Sequence, residues 1–199
     1  MCPRSPEQSA ILRQKSRTAI LHAATELFAR KGYAATKTEE IAKRAGVSKG
    51  LIYNHFTSKE SILETLLESL TESTLGLRTL QEGSVESRAA ALIAFIHTWF
   101  GEIRTNPALV KLGIQFHSDP AMIRIARKKQ DELMERYLGV FSTLFRDLGS
   151  SDPEAETFLL GSLLDGIGLN YTAMPESIPL DRIEALIVGY YSSLRGVPA

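Results

Sequence analysis

The residues with the clearest chemistry lie in one short stretch, where a helix would leave polar and basic side chains exposed: Ser48, Lys49, Tyr53, Asn54 and His55. A helix of this length fits the major groove of DNA, and the residues near its N-terminal end can reach the base edges. The stretch therefore predicts hydrogen bonding to double-stranded DNA.

The sequence contains no comparable motif for metal binding, catalysis or cofactor binding. His97 and His117 lie in no close cluster with acidic residues, so the sequence predicts no metal site. It contains no glycine-rich phosphate loop, no Gly-x-Ser-x-Gly motif and no Glu-x-x-His pair. We therefore expect neither an enzyme nor a bound cofactor, and a helical-bundle enzyme is kept only as an alternative.

The elements that must position the polar side chains are two short helices joined by a tight turn. We predict the first over Glu39–Ala45 with Thr38 as its N-cap, and the second over Lys49–Phe56 with Ser48 as its N-cap. Gly46 suits the turn, because a left-handed backbone costs little without a Cβ. The apolar residues that would hold the two helices together are Ile41, Ala42, Ala45, Val47, Leu51, Ile52 and Phe56.

The charge distribution agrees with a polyanion as partner. The net charge of the whole chain is zero, but residues 1–60 contain eleven Lys or Arg against five acidic residues, which gives +6. The remainder is correspondingly −6. Beside the helix pair, Thr36, Lys37 and Lys59 are candidates for contacts to the DNA backbone.

The rest of the sequence predicts further helices and no strand. Apolar periodicity and stop signals place them at about residues 15–30, 58–80, 86–104, 108–116, 120–148, 153–171 and 180–194. Asp119-Pro120 and Asp152-Pro153 each combine an N-cap with proline at the first helical position. We therefore expect an all-α fold with no flexible linker.

The helix pair and its flanks resemble the signature of the TetR family of transcriptional regulators, in Phe28–Tyr33, Thr36–Thr38, Ile41–Gly50, Ile52–Phe56 and Ser58–Glu60. The resemblance covers about residues 13–65 and implies about nine helices. It implies a DNA-binding domain at 12–60 and a ligand-binding and dimerisation domain at 61–199, linked by the fourth helix. It also implies that Tyr53 and Lys59 contact phosphate. The DNA-binding residues predicted in total are Thr36, Lys37, Thr38, Ser48, Lys49, Gly50, Leu51, Tyr53, Asn54, His55 and Lys59.

The C-terminal helices predict a homodimer. The helix at 153–171 is apolar almost all round, so we expect it to be buried on most sides. With the last helix it would form an isologous interface, at Phe158, Gly161, Ser162, Asp165, Leu169, Leu186, Tyr190 and Leu194. A dimer would place two recognition helices roughly 34 Å apart, in successive major grooves of a roughly palindromic operator. The alternative is that both helices pack only within one chain.

A pocket for an unknown small-molecule effector is predicted between the middle helices. Its candidate walls are Phe95, Trp99, Phe116, His117, Met134, Tyr137, Phe141, Asn170, Tyr171 and Met174. Each could instead be an ordinary core or surface residue. We expect a repressor that the effector releases from DNA. The alternatives are control by a partner protein, activation, or a head that has lost DNA binding.

The sequence predicts a cytoplasmic protein with no membrane partner. No apolar run approaches the roughly 18–20 residues that a bilayer span needs. The segment Met1–Pro6 lacks the apolar core of a secretory signal. The single cysteine, Cys2, cannot form an internal disulfide, which fits a reducing compartment.

Overall fold

The computed structural model describes residues 6–75 and 80–194, and the side chains of these residues except 6, 70–75, 117, 126, 128–130 and 133. The described residues form α-helices and one short 3-10 helix, Pro175–Ser177, without any strand, so the predicted all-α fold is confirmed. The α-helices are α1 (Pro6–Lys31), α2 (Thr38–Ala45), α3 (Lys49–His55), α4 (Lys59–Leu75), α5 (Val85–Thr105), α6 (Pro107–Ser118), α7 (Pro120–Asp147), α8 (Pro153–Ala173) and α9 (Leu180–Ser192). Within these ranges no helix is long and apolar enough to cross a bilayer.

Aspartate N-caps set the starts of the two long C-terminal helices. The Oδ1 atom of Asp119 accepts hydrogen bonds from the backbone N–H groups of Ala121 (2.8 Å) and Met122 (3.2 Å) at the start of α7. The Oδ1 atom of Asp152 accepts one from the N–H of Ala155 (3.1 Å) at the start of α8. Each aspartate satisfies donors that have no partner inside the helix, and both predicted N-caps are confirmed.

Two predicted boundaries in the N-terminal part are wrong. Helix α1 begins at Pro6, well before the predicted start at Lys15, because its first turns are exposed and carry no buried apolar stripe. The N-cap of α2 is Lys37 rather than Thr38, which is the first helical residue. The backbone N–H of Lys37 donates to the carboxylate of Glu40 (3.0 Å), so the side chain of an acidic residue in the first turn caps this helix.

Helices α1–α4 enclose a first hydrophobic cluster, which we call the head core. Its fully enclosed members include Ile20, Phe28, Ile41, Ile52, Ile62 and Leu63. Leu112 and Phe116 of α6 and Met122 of α7 belong to the same cluster. The interior of the DNA-binding part therefore includes residues that lie far along the chain.

A second cluster, the body core, lies among α5, α7, α8 and α9. Its largest members are Phe95, Trp99, Phe100, Phe141, Phe145 and Tyr191. Helix α6 also packs against this core, through Val110. A Cβ built on Gly168 of α8 would lie 2.9 Å from Cγ1 of Val110 and 3.2 Å from Cδ1 of Ile114, so the glycine lets α6 approach α8 closely. Helix α6 thus lies between the two cores.

Candidate nucleic-acid interface

The turn between α2 and α3 depends on a glycine in a left-handed conformation. Gly46 has φ 67° and ψ 29°, and its N–H donates to the carbonyl of Lys43 (3.3 Å). The N–H of Val47 donates to the carbonyl of Ala42 (3.0 Å), which closes the last turn of α2. The predicted role of Gly46 is confirmed, and a Cβ there would be strained.

One side of α3 is fixed to the head core. Ile52 is buried there, and Phe56, which follows the last helical residue, is buried as well. The hydroxyl oxygen of Ser48 accepts a hydrogen bond from the N–H of Leu51 (3.1 Å), so the predicted N-cap of α3 is confirmed. Because α3 is held on one side and capped at its start, its other side chains have a defined direction.

The opposite side of α3 presents polar groups to the surface. Lys49, Gly50 and Asn54 are exposed, and Tyr53 is 49 % exposed. The Nζ atom of Lys49 lies 2.5 Å from Oε1 of Glu39 in α2. This hydrogen bond, with the attraction of the two charges, raises the pKa of Lys49 and lowers that of Glu39. The surface thus offers ammonium, amide and phenol groups to a ligand.

The segment before α2 is less uniformly exposed than the sequence predicted. Lys37 is exposed and Thr38 is half-buried. Thr36 is buried, and its hydroxyl donates to the carbonyl of Gly32 at the end of α1 (2.8 Å). The structure therefore does not place the side chain of Thr36 with the exposed candidates, because that side chain satisfies a carbonyl at the helix end.

Lys59, at the start of α4, binds the loop between α1 and α2. Its Nζ donates to the carbonyls of Tyr33 (2.8 Å) and Thr36 (2.9 Å) and lies 4.1 Å from the centroid of the Tyr33 ring. Two of its three N–H groups are thus used inside the head, and a phosphate contact would use the third. These hydrogen bonds of Lys59 hold the start of α4 against the loop that leads into the helix-turn-helix.

Helix α1 contributes residues to this surface that the sequence analysis did not single out. Nε2 of His55 lies within hydrogen-bonding distance of the Ser16 hydroxyl (3.1 Å). Burial, followed by the positive charges of Arg13 and Arg17, lowers the pKa of His55. The spacing of Ser9, Arg13 and Ser16 places them on one face of α1, but it does not show that this face lies beside α3.

The structure brings five of the predicted pocket residues into or against the body core. Phe95, Trp99 and Phe141 are buried there, and Tyr137 and Tyr171 pack against them. Ring centroids lie 5.4 Å apart for Phe95 and Phe141, and 4.5 Å apart for Tyr137 and Phe141. Burial, and then the charge of Asp165, raise the pKa of Tyr137. Ring contacts thus join Phe95, Tyr137 and Phe141 between α5 and α7, while Trp99 belongs to the same core and Tyr171 packs against it.

Other predicted pocket residues lie elsewhere. Phe116 is in the head core, since the buried side of α6 at that point faces α1. Asn170 and Met174 are exposed, and the Asn170 amide donates to a backbone carbonyl of its own helix (2.8 Å). Met134 is half-buried, and the side chain of His117 lies outside the described residues.

The predicted dimer residues occupy α8 and α9. Phe158, Leu169, Leu186 and Tyr190 are exposed apolar or aromatic side chains, and Ser162 and Asp165 are also exposed, whereas Gly161 and Leu194 are half-buried. Within one chain the side of α8 with Thr157, Leu160, Leu164 and Gly168 is buried, and the expectation that α8 is buried on most sides stays a prediction that a second chain would have to fulfil. The opposite side of α8 remains open.

A short helix held on one side, a left-handed turn and an exposed polar surface together define a helix-turn-helix DNA-binding protein. Residues 20–66 match the model of the family described as bacterial regulatory proteins, tetR family. The chain belongs to the TetR family, as its resemblance predicted, and dimerisation is typical of this family.

Known relatives and solved structures agree with this assignment. The HTH-type transcriptional regulator TtgR of Pseudomonas putida is 25 % identical over 178 residues, covering 84 % of this chain and 85 % of TtgR. The HTH-type transcriptional repressor KstR2 of Rhodococcus jostii is 31 % identical over 133 residues, covering 66 % and 60 %. The SmeT–triclosan complex has a TM-score of 0.72 at 23 % identity, covering 89 % and 90 %; SmeT is a repressor from Stenotrophomonas maltophilia. The chain is thus a DNA-binding transcriptional regulator, in a family of regulators rather than enzymes.

Proposed function

We propose that the chain is a repressor that binds a roughly palindromic operator as a homodimer and leaves it when a small molecule binds in its C-terminal part. The observation that carries this proposal is the exposed polar side of α3, held in place by Ile52, Phe56 and the cap at Ser48. It belongs to a segment, residues 1–60, with a net charge of +6. Polar groups on a rigid helix and a positive field are what operator binding requires.

The proposed DNA contacts divide into two kinds. Base edges are read from α3, by Ser48, Lys49, Gly50, Leu51, Asn54 and His55. Phosphates are bound by Lys37, Thr38, Tyr53 and Lys59, which position the head without reading the sequence. Thr36 acts indirectly, since its hydroxyl and its carbonyl hold the loop in front of α2.

The proposed dimer uses α8 and α9. An exposed Leu186, at 74 %, and an exposed Phe158 are large apolar side chains that a single chain leaves in water. Covering them with the same surface of a second copy would remove that apolar area from solvent. Two heads joined in this way could bind successive major grooves.

The proposed ligand site is the aromatic group of the body core. SmeT, which has a similar fold, forms a complex with triclosan, a small molecule. A ligand among Phe95, Tyr137 and Phe141 would displace α5, α7 or α8, and through them α6 and α4. Helix α4 begins at Lys59, which is bound to the loop before the helix-turn-helix. The ligand needs only to bind one spacing of the heads better than the other.

A salt-dependent DNA-binding titration tests the proposal. The full chain is titrated with duplex fragments that flank its own gene and with random duplex of the same length. A fragment bound at least about a thousandfold more tightly than random duplex indicates a specific regulator. Tyr53→Ala should weaken binding to all duplexes by a similar factor, because a phosphate contact carries no base information. Equal, weak binding to every fragment would count against an operator next to the gene.

The coupling between ligand and DNA needs its own measurement. Once a bound fragment is available, candidate small molecules are titrated into the free protein and into the protein–DNA complex. Release of DNA requires a lower ligand affinity in the complex, since the coupling is reciprocal. Equal affinities in the two states would overturn this part of the proposal.

A further inference from the structure

An open cleft of about 750 Å³ separates the first half of α1 from α3. Its α3 side consists of Leu51, Asn54 and His55, which are proposed base-reading residues. Its α1 side consists of Ser9, Leu12, Arg13 and Ser16. Residues outside the helix-turn-helix thus border the surface that would face DNA.

The polar residues on this side of α1 form a regular stripe along the helix. Ser9, Arg13 and Ser16 follow one another at intervals of four and three residues, which places them on one face of a helix. Ser9 and Arg13 are exposed. Ser16 is half-buried because its hydroxyl lies against Nε2 of His55. The stripe is therefore joined to the C-terminal end of α3 by a polar contact.

The cleft is positively charged. Among the described residues Arg13 has no acidic side chain in ion-pair contact, so its charge is not neutralised locally. Arg17, one turn further on, lies over the Phe56 ring at 5.3 Å. Burial, and then the charges of Arg13 and Arg17, lower the pKa of His55 on the α3 side of the cleft.

With α3 in the major groove, the dimensions of DNA would place α1 over the sugar–phosphate backbone at the edge of that groove. An α-helix with its side chains is about 10–12 Å wide, and the major groove is about 12 Å wide. A helix lying in the groove fills it, so an element packed directly beside that helix lies over the sugar–phosphate backbone at the edge of the groove. The α1 side of the cleft is the element beside α3, since Ser16 contacts His55 at the end of α3 and Ser9 and Arg13 follow along the cleft.

We propose that α1 carries an additional phosphate-binding site, formed by Ser9 and Arg13, with Ser16 holding the imidazole of His55 beside it. The site takes one phosphate of the DNA strand at the edge of the groove that α3 occupies. The Arg13 guanidinium supplies charge and paired N–H donors, which suit phosphate geometry. The Ser9 hydroxyl supplies one further donor. This inference rests on the proposed DNA binding and extends it to a helix outside the helix-turn-helix.

The test compares salt dependences of binding to a random-sequence duplex of 30 base pairs, using the full chain. Each phosphate contact contributes about 0.9 to the slope of log K against log salt concentration. Arg13→Gln removes one contact from each head, so the slope for a dimer should fall by about 1.8. Arg146→Gln is the matched control, since it removes the same charge from an exposed arginine of α7 and should leave the slope unchanged.

A second pair of variants adds a charge instead of removing one. Ser9→Glu places a carboxylate in the proposed site and should weaken binding to the duplex at least tenfold. Gln14→Glu adds the same charge to α1 on the side that faces Arg44 and Ala45 of α2, and should have a much smaller effect. Both positions are exposed, so the variants should fold, and circular dichroism checks this.

The possible outcomes distinguish the phosphate site on α1 from the proposed DNA-binding function. Wild-type binding with a reduced slope in Arg13→Gln, and a stronger effect of Ser9→Glu than of Gln14→Glu, supports the site on α1. Wild-type binding with an unchanged slope in Arg13→Gln overturns this inference alone. A wild-type chain that binds no duplex overturns the proposed function and this inference with it.

Discussion

The ion pair between Lys49 and Glu39 connects the two helices of the helix-turn-helix at the surface that would meet DNA. The side chains are 51 % and 59 % exposed, so the pair contributes little to the stability of the fold. Bound DNA would compete with Glu39 for the same ammonium group. We therefore predict that Glu39 opposes indiscriminate binding to DNA.

Glu39→Gln is expected to strengthen binding to random duplex, because it frees Lys49 and removes a negative charge. If Glu39 acts through Lys49, the gain should be much smaller in a Lys49→Gln background. A double-mutant cycle of dissociation constants at one salt concentration measures this coupling. An equal gain in both backgrounds would show that the carboxylate simply repels the duplex.

The lowered pKa of His55 makes folding stability depend on pH. In the unfolded chain a histidine titrates near its ordinary pKa of about 6.5, so below this pH the unfolded state takes up the proton first. The free energy of unfolding should therefore fall as the pH decreases through and below that value. The groups that face the ring are Ser16, Arg13 and Arg17.

His55→Gln should reduce this loss, because a neutral amide does not take up a proton. Urea denaturation of wild type and variant at several pH values between 5 and 7.5 gives the comparison. Other histidines contribute equally to both proteins and cancel. Parallel curves of unfolding free energy against pH would contradict the assignment to His55.

The exposed side chains of α3 could be predicted from the sequence, because the buried residues of a helix determine which others are exposed. Ile52 and Phe56 mark the buried side, and Lys49, Tyr53 and Asn54 follow on the other. The residues of α1 and the bonds of Lys59 to loop carbonyls could not be predicted in this way. They depend on which segments lie together in space, and spacing along one helix carries no such information.

At the scale of the helix, Gly168 of α8 shows how closely α6 and α8 pack. Gly168→Ala should destabilise the protein by about 1–3 kcal/mol, because the new methyl group meets Val110 and Ile114. Gly139→Ala in α7 is the matched control. Nothing lies within 4 Å of a Cβ at this position, so the variant should gain up to about 1 kcal/mol from helix propensity.

Urea unfolding of the two glycine variants measures both effects with one method. Opposite signs are expected. If Gly168→Ala were as stable as wild type, α6 would be free to move away from α8, and close packing would not limit its position.

Helix boundaries were predicted best where the chain carries an explicit start signal. Asp119-Pro120 and Asp152-Pro153 provide an N-cap and a fixed φ angle at the correct residue. The first turns of α1 follow Ser5-Pro6, which is a signal of the same kind, but Ile11 and Leu12 within them are exposed and no buried apolar stripe continues back to it. Helix α6 is apolar on more than one side, so periodicity could not show that Phe116 belongs to the head core.

At the scale of the whole molecule, α8 and α9 carry the exposed apolar residues of the proposed dimer interface. We therefore predict that one charged side chain introduced there dissociates the dimer. Leu186→Glu should convert a dimer into monomers, because a carboxylate would be buried in the interface without a partner. DNA affinity should fall strongly, since two linked heads bind far better than one. Thr98→Glu places the same charge at an exposed position of α5 and serves as the control.

Sedimentation velocity at micromolar concentration gives the oligomeric state of wild type and both variants. A dimer that persists in Leu186→Glu would place the interface elsewhere on the molecule.

Helix α6 completes the interior of the head with Leu112 and Phe116, although it lies outside the segment that matches the family model. Head and body therefore share buried side chains, and neither can lose its structure without exposing part of the other. Cooperative unfolding in a single transition follows from this arrangement. Amides in the buried second half of α1 should exchange with solvent as slowly as those of the body helices, because both open only in global unfolding.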